Sequence, residues 1–118
     1  MTITMGSITI DCSDPRGLAE FWTKALGYEV AQDHGDGEYL MLAPLGGGTG
    51  LNFQRVPEPR TGKNRVHVDF AAEDRQAEVA RLVGLAATVA AEHTVPGFGW
   101  TVLQDPEGNE FCVGDAHA

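Results

Sequence analysis

Two short segments of the sequence place chemically active side chains two residues apart. His67 and Asp69 stand in RVHVDF, and Glu110 and Cys112 stand in NEFCV. Residues two apart on an extended strand share a face, so each pair would point to the same side of a sheet. An imidazole beside a carboxylate is suited to proton transfer near neutral pH. A carboxylate beside a thiol offers a general base and a metal ligand.

Each of these side chains also has a purely structural interpretation. His67 is consistent with a hydrogen-bonded structural histidine next to a solvated Asp69. Glu110 directly follows a turn, DPEGN, where an acidic residue is usually solvated. Cys112 is one of only two cysteines, and the commonest role of a free cysteine is that of a small buried apolar residue. A disulfide with Cys12 is the least favoured reading of so few cysteines.

A second group of polar and aromatic side chains lies on other predicted strands. Segments 7–12 and 51–55 alternate between apolar and polar residues, which is typical of strands with one buried face. The polar positions, which are candidates for binding a ligand, are Ser7, Thr9, Asp11, Asn52 and Gln54. Trp100 and Tyr39 are suited to stacking on a flat ligand, although aromatic side chains in strands are more often part of the core.

Helices and turns must position these residues. Asp14-Pro15 has the residue types of a helix N-cap and first position, and Gly27 those of a terminator, so a helix is predicted between them. A second helix is predicted over 73–83, with Val79, Leu82 and Val83 as its apolar stripe. Further strands are predicted at 28–32, 38–43, 65–70, 88–91, 100–104 and 109–113.

The chain repeats itself at an offset of about 60 residues, as its element order and side-chain parity indicate. The repeat aligns Ser7 with His67, Asn52 with Cys112, and Asp14 with Asp74. It predicts an α+β fold of two tandem βαβββ modules, because one such unit with a single helix would not bury its sheet alone. We expect one domain over residues 1–118, with module one at 1–56, a Pro/Gly-rich linker at 57–63 and module two at 64–114.

Composition argues against some partners. Seventeen acidic residues stand against eight basic ones, giving a net charge of −9. This balance repels phosphate backbones and anionic lipid surfaces, so neither nucleic acid nor a membrane is expected as a partner. The sequence has no apolar run of about 20 residues and no signal-peptide pattern. We therefore expect a cytoplasmic protein.

The sequence resembles the vicinal-oxygen-chelate superfamily, which includes glyoxalase I, bleomycin-resistance proteins and extradiol dioxygenases. The resemblance rests on DPRGLAEFWTKALGYEV, VPEPRTGKNRVHVDF and DPEGNEFCV, and it is strongest to the small glyoxalase-like branch. It implies a U-shaped mixed sheet with the helices on its convex face. The concave face of that sheet would hold a substrate and, in many members, a divalent metal.

The resemblance also implies four ligand positions, on the first and last strands of each module. Carried onto this sequence, they are Ser7, Asn52, His67 and Cys112. Metal-dependent members have His, Gln or Glu there, and only His67 fits. The sequence therefore predicts a site without a resident metal, and the alternative is a divalent ion (Zn²⁺, Ni²⁺, Fe²⁺ or Mn²⁺) held by His67 and Cys112.

Two functions follow from these expectations. The first is binding of a small molecule on the concave face, without chemistry. The alternative is a glyoxalase-like lyase or isomerase, or a dioxygenase-type enzyme, acting on a small polar metabolite. It would depend on a metal or use His67 as base, assisted by Asp69 and Glu110. The resemblance also implies a homodimer, since an open sheet made of two modules leaves edges that a second chain can cover.

Overall fold

The structure, a computed structural model, describes residues 3–116. The chain divides into two compact units, Met1–Thr61 and Gly62–Ala118. Each unit contains one helix and a four-stranded mixed sheet in the order strand, helix, strand, strand, strand. The predicted α+β fold of two tandem βαβββ modules is confirmed. The first two and last two residues of the expected domain lie outside the described residues.

Module one pairs its first strand with its last. Its elements are β1 (Ser7–Cys12), α1 (Pro15–Leu26), β2 (Glu29–His34), β3 (Tyr39–Ala43) and β4 (Gly50–Arg55). The strand order is β1-β4-β3-β2, with β1 and β4 parallel and the other pairs antiparallel. Since β1 and β4 run in the same direction, the chain between them must cross the sheet, and α1 makes that crossing.

Helix α1 begins and ends where the sequence predicts. The Asp14 side chain accepts a hydrogen bond from the Gly17 backbone N–H at 3.2 Å, and Pro15 opens the helix. Gly27 ends it in the left-handed conformation, at φ 71°, where a side chain would be strained. The core of module one combines α1 residues with alternate residues of β3 and β4: Leu18, Phe21, Trp22, Leu40, Leu42, Leu51 and Phe53.

Module two repeats this plan. Its elements are β5 (Val68–Ala72), α2 (Arg75–Gly84), β6 (Thr88–Val95), β7 (Phe98–Gln104) and β8 (Glu110–Asp115). The strand order is β5-β8-β7-β6, and β5 and β8 are parallel. Asp74 caps α2 by accepting a hydrogen bond from the Ala77 N–H at 3.1 Å, which matches the cap of α1. Within residues 3–116, neither helix has the length and apolar character of a membrane-spanning segment.

Some predicted details of module two are wrong. The strand predicted at 65–70 begins at Val68, since its pairing with β8 starts at Phe111. Val66 and His67 therefore precede the strand, and Val66 is 74% exposed. The stripe predicted for α2 is only partly buried, because Leu82 lies in the core while Val83 is exposed. β6 extends to Val95, beyond the predicted end, because it pairs with β7 as far as Phe98.

A polar network joins α2 to the sheet of module two. The Arg75 guanidinium donates to Asp115 Oδ1 at 2.9 Å and to Thr101 Oγ1 at 2.8 Å. The Gly99 backbone N–H donates to Asp115 Oδ2 at 2.8 Å. The hydrogen bond from Arg75 lowers the pKa of the Asp115 carboxyl below its ordinary value, and the hydrogen bond from the Gly99 N–H makes a smaller contribution in the same direction. This carboxylate therefore stabilises the folded state.

We expect Asp115→Asn to lower the melting temperature at neutral pH and to lose this effect in acid. A carboxyl with a lowered folded-state pKa contributes stability above its unfolded-state pKa and loses it as the pH falls through its folded-state pKa. The difference in unfolding free energy between wild type and variant should thus shrink below about pH 4. Chemical denaturation across a pH series measures it.

Glu92→Gln is the matched control, since Glu92 also contacts Arg75, at 3.4 Å, but is 63% exposed. We expect a smaller effect from this exposed pair. An Asp115→Asn penalty of constant size from neutral pH to pH 3 would contradict the assignment.

Candidate functional site

Parallel pairing of the first and last strands brings distant residues together in both modules. Thr9 lies opposite Asn52 in module one, and Asp69 lies opposite Cys112 in module two. The two pairs are related by the same offset of 60 residues, so the repeat read from the sequence holds in the strand register. Thr9 and Asp69 are therefore structurally equivalent within their modules, as are Asn52 and Cys112, whereas Ser7 lies in β1 and its aligned residue His67 directly precedes β5.

These residues lie on the sheet faces that do not carry the helices. In module two, Arg75 of α2 contacts Thr101 on β7 and Asp115 on β8. These two residues, and the residues an even number of positions from them on the same strands, therefore face the helix. Cys112 has the opposite parity on β8, and Asp69 is its partner on β5. Side chains alternate between the two faces of a strand. Both residues therefore face away from α2.

His67, Asp69 and Cys112 form one cluster on this face. Their donor atoms all lie within 4.8 Å of one another. His67 Nδ1 lies 3.2 Å from Asp69 Oδ1, and these side chains are 43% and 69% exposed. Cys112 is buried. The predicted pairing of His67 with Asp69 is thus present, and the structure adds Cys112 to it.

The Cys112 thiol is not set up as a free nucleophile. Burial raises its pKa, and the Asp69 carboxylate, which accepts its hydrogen bond, raises it further; the charge of Glu110 adds to this, while Lys63 opposes it. A thiol with a raised pKa stays protonated and weakly reactive. In the metal-free protein, Cys112 therefore acts as a hydrogen-bond donor.

Glu110 lies on the same face but is engaged elsewhere. Its carboxylate lies 3.6 Å from Lys63 Nζ, and its backbone N–H donates to Asn64 Oδ1 at 3.1 Å. It does not belong to the group formed by His67, Asp69 and Cys112. Its predicted role as a general base stays a prediction.

The DPEGN turn fixes the start of β8. Asp105 is buried, and its carboxylate accepts hydrogen bonds from the backbone N–H groups of Glu107 and Asn109 and from the Asn109 side chain. Gly108 adopts a φ of 84°, which favours glycine. The turn is therefore held by its own side chains, and it sets which β8 residues face away from α2.

Module one carries a neutral network at the equivalent place. Asn52 is only 2% exposed, and its Nδ2 donates to Ser7 Oγ at 2.9 Å and to the Tyr39 hydroxyl at 3.2 Å. Thr9 Oγ1 lies 3.3 Å from the same hydroxyl. Among the side chains of residues 3–116, Asn52 Oδ1 is the buried polar atom without a hydrogen-bond partner.

Turning the Asn52 amide by 180° would not give both of its polar atoms a hydrogen-bond partner. Hydroxyl groups both donate and accept, so exchanging the amide oxygen and nitrogen would satisfy the oxygen and leave an N–H unpaired. One polar atom of Asn52 lacks a partner either way. Asp11 and Gln54 lie opposite each other on the same strands, and both are exposed.

A histidine and an aromatic ring pair across neighbouring strands in each module. Trp100 is half-buried, and His93 stacks on it with ring centroids 5.0 Å apart at 25°. Tyr39 has His34 opposite it, at 6.3 Å. Trp100 is among the candidate residues predicted from the sequence, whereas His93 is not. The signal for His93 is the register of the β6–β7 hairpin, which places it opposite Trp100.

The four positions taken from the resemblance do not fit the ligand set of a hard divalent metal. Ser7 and Asn52 are neutral, weak donors, and they are bonded to each other. Cys112 supplies sulfur where oxygen would suit Mn²⁺. Of the four, only His67 and Cys112 are strong ligands, and they lie together in module two with Asp69.

Comparison with known proteins identifies related sequences and folds. Residues 7–114 match the family model described as glyoxalase-like domain. No curated protein matches the chain. A glyoxalase/bleomycin resistance protein/dioxygenase family enzyme from Burkholderia phytofirmans PsJN has a similar solved structure, with 17% identity, a TM-score of 0.77, and coverage of 96% of this chain and 98% of that one.

Two further solved structures are similar over nearly their whole length. TnmS3, an antibiotic binding protein from Streptomyces sp. CB03234, is 22% identical with a TM-score of 0.73, covering 98% of both chains. Lactoylglutathione lyase from Agrobacterium tumefaciens is 21% identical with a TM-score of 0.71, covering 98% of this chain and 95% of that one. At such identities the likeness establishes the fold.

Proposed function

The chain belongs to the glyoxalase-like domain family, and we propose that it is a small-molecule-binding protein. The ligand would contact the face of the module one sheet that points away from α1. The observation that carries this proposal is Asn52, a buried side chain with one unpaired polar atom. A buried polar atom without a partner costs about 1–3 kcal/mol. A ligand donor or acceptor placed there would recover that cost.

The surrounding groups indicate the class of ligand. Hydroxyl and amide groups of Ser7, Thr9, Tyr39 and Asn52 supply neutral hydrogen bonds. The Tyr39 ring, which has the His34 ring 6.3 Å away, is suited to stacking on a flat ligand. The net charge of −9 favours a cationic or neutral molecule over an anion. An aromatic, positively charged or neutral compound fits these features, and the similar fold of an antibiotic binding protein supports the choice.

Metal-free bleomycin, a cationic molecule with flat rings, is a suitable first probe. We expect calorimetric titration to show binding that Asn52→Leu weakens about 10-fold, the size of one buried hydrogen bond. Tyr39→Leu should weaken binding similarly, through the loss of the ring and of the hydroxyl next to Asn52. Val83→Ala is the matched control, because Val83 is exposed on α2 and should leave binding unchanged.

Two outcomes would contradict these assignments. If neither bleomycin nor a panel of cationic and neutral aromatic antibiotics binds, the proposed function is wrong. If a probe binds and folded Asn52→Leu retains full affinity, Asn52 is not an anchor. Circular dichroism of each variant separates lost binding from lost folding.

The enzymatic alternative rests on the His67–Asp69 contact of 3.2 Å. A histidine oriented by a carboxylate is a competent proton acceptor. Lactoylglutathione, for which the lyase from Agrobacterium tumefaciens is named, would be a poor ligand for this chain. Glutathione adducts are anionic, and the chain has a net charge of −9. We therefore rank this function second.

We expect no formation of lactoylglutathione from methylglyoxal and glutathione above the background rate, with or without added Zn²⁺ or Ni²⁺. Absorbance of the thioester product measures it. Turnover that His67→Ala abolishes, and that Val83→Ala leaves intact, would overturn this ranking in favour of the enzyme.

We also propose that the protein forms a homodimer. β2 is an edge strand of its sheet, and all six of its residues are exposed. Exposed strand edges are commonly covered by another chain. Sedimentation equilibrium should give a mass about twice 12.6 kDa. A mass of 12.6 kDa at all micromolar concentrations would contradict the proposal.

A further inference from the structure

We propose that module two contains a zinc site formed by Cys112 Sγ, the His67 imidazole and the Asp69 carboxylate. The site differs from the ligand set that the family resemblance implies. It uses Asp69, which is outside the four family positions, and it uses no residue of module one. This proposal concerns only metal binding. It is therefore independent of the proposed small-molecule function and can be correct even if that function is wrong.

The donor types favour zinc over the harder divalent ions. Thiolate and imidazole are ligands that Zn²⁺ prefers, whereas Mn²⁺ and Mg²⁺ prefer sites built only of oxygen. Three protein ligands of mixed sulfur, nitrogen and oxygen type are common in zinc sites that keep a fourth position open. An ion bound here would supply a Lewis acid at the open position.

The donor positions are close to those that a tetrahedral ion requires. Usual zinc–ligand lengths place neighbouring donor atoms about 3.3–3.6 Å apart. His67 Nδ1 and Asp69 Oδ1 are 3.2 Å apart, and all three donor atoms lie within 4.8 Å of one another. The remaining adjustment is about 1 Å, which side-chain rotation of His67 and Asp69 can provide because both are exposed.

The anchoring residue of the cluster is held in place. Cys112 lies on β8, which pairs with β5 on one side and β7 on the other. Its sulfur is therefore fixed by a central strand, and the two exposed side chains can close around an ion from the solvent side. The strand pairing also places Asp69 directly opposite Cys112, which brings carboxylate and sulfur together without a loop rearrangement.

No other group in residues 3–116 matches this cluster. It is the one set of three His, Cys, Asp or Glu side chains in this part of the chain whose donor atoms converge. The second cysteine, Cys12, is buried in module one, and its Sγ lies 3.7 Å from the Gln54 carbonyl oxygen. A metal–sulfur signal can therefore be assigned by removing one cysteine at a time.

Titration of the metal-free protein with Co²⁺, followed by displacement with Zn²⁺, tests the site without any activity assay. Cobalt bound to a thiolate gives an intense near-ultraviolet charge-transfer band, and tetrahedral cobalt gives strong visible bands. We expect one equivalent of Co²⁺ to produce both and Zn²⁺ to remove them. Cys112→Ser should abolish the charge-transfer band, and His67→Ala and Asp69→Asn should each weaken Co²⁺ binding about 10–100-fold.

Cys12→Ala and Glu110→Gln are the matched controls. The first removes the other thiol, and the second removes a neighbouring carboxylate on the same face; both should keep the spectrum. The proposal is overturned if folded wild type gives no charge-transfer band, if the band survives Cys112→Ser, or if it disappears in folded Cys12→Ala. Asn52→Leu, which tests the small-molecule proposal, should leave the cobalt spectrum unchanged, so the two proposals can fail separately.

Discussion

The parallel pairing of the first and last strands in each module is the constraint on which both candidate surfaces depend. Residues more than 40 positions apart become neighbours only through it, as Thr9 and Asn52 do in one module and Asp69 and Cys112 in the other. A parallel pair needs a crossover, and the crossover helix covers one face of the sheet. The other face is left to carry polar chemistry.

The same scaffold carries different chemistry in its two modules. The last strand of module one presents Asn52 within a network of hydroxyl groups, which is neutral. The last strand of module two presents Cys112 next to an imidazole and a carboxylate, which can exchange protons and bind metal. Packing residues on the opposite face, such as Phe53 and Phe111, are buried in both. The core therefore sets the positions, and a few outward residues set the chemistry.

Much of this could be predicted from the sequence, because alternation along a strand decides which side chains share a face. The repeat offset correctly related Asn52 to Cys112, and the caps at Asp14 and Asp74 were correctly placed. Strand ends were harder, since they depend on the partner strand: Val66 was assigned to a strand that begins at Val68. His93 was missed for the same reason, because its contact with Trp100 follows from hairpin register. The convergence of three donor atoms on Cys112 required three-dimensional distances.

Under the proposed binding function, Asn52 is the residue at which the requirements of folding and of binding conflict. It lies between Leu51 and Phe53, which are buried on the helix side, so the strand must be firmly packed there. A leucine at position 52 would avoid the cost of an unpaired polar atom, about 1–3 kcal/mol. The chain instead has an amide that it satisfies only in part. Module one can tolerate that cost because the core formed by α1 and the sheet stabilises the same strand, and a ligand that bonds to the amide would recover it.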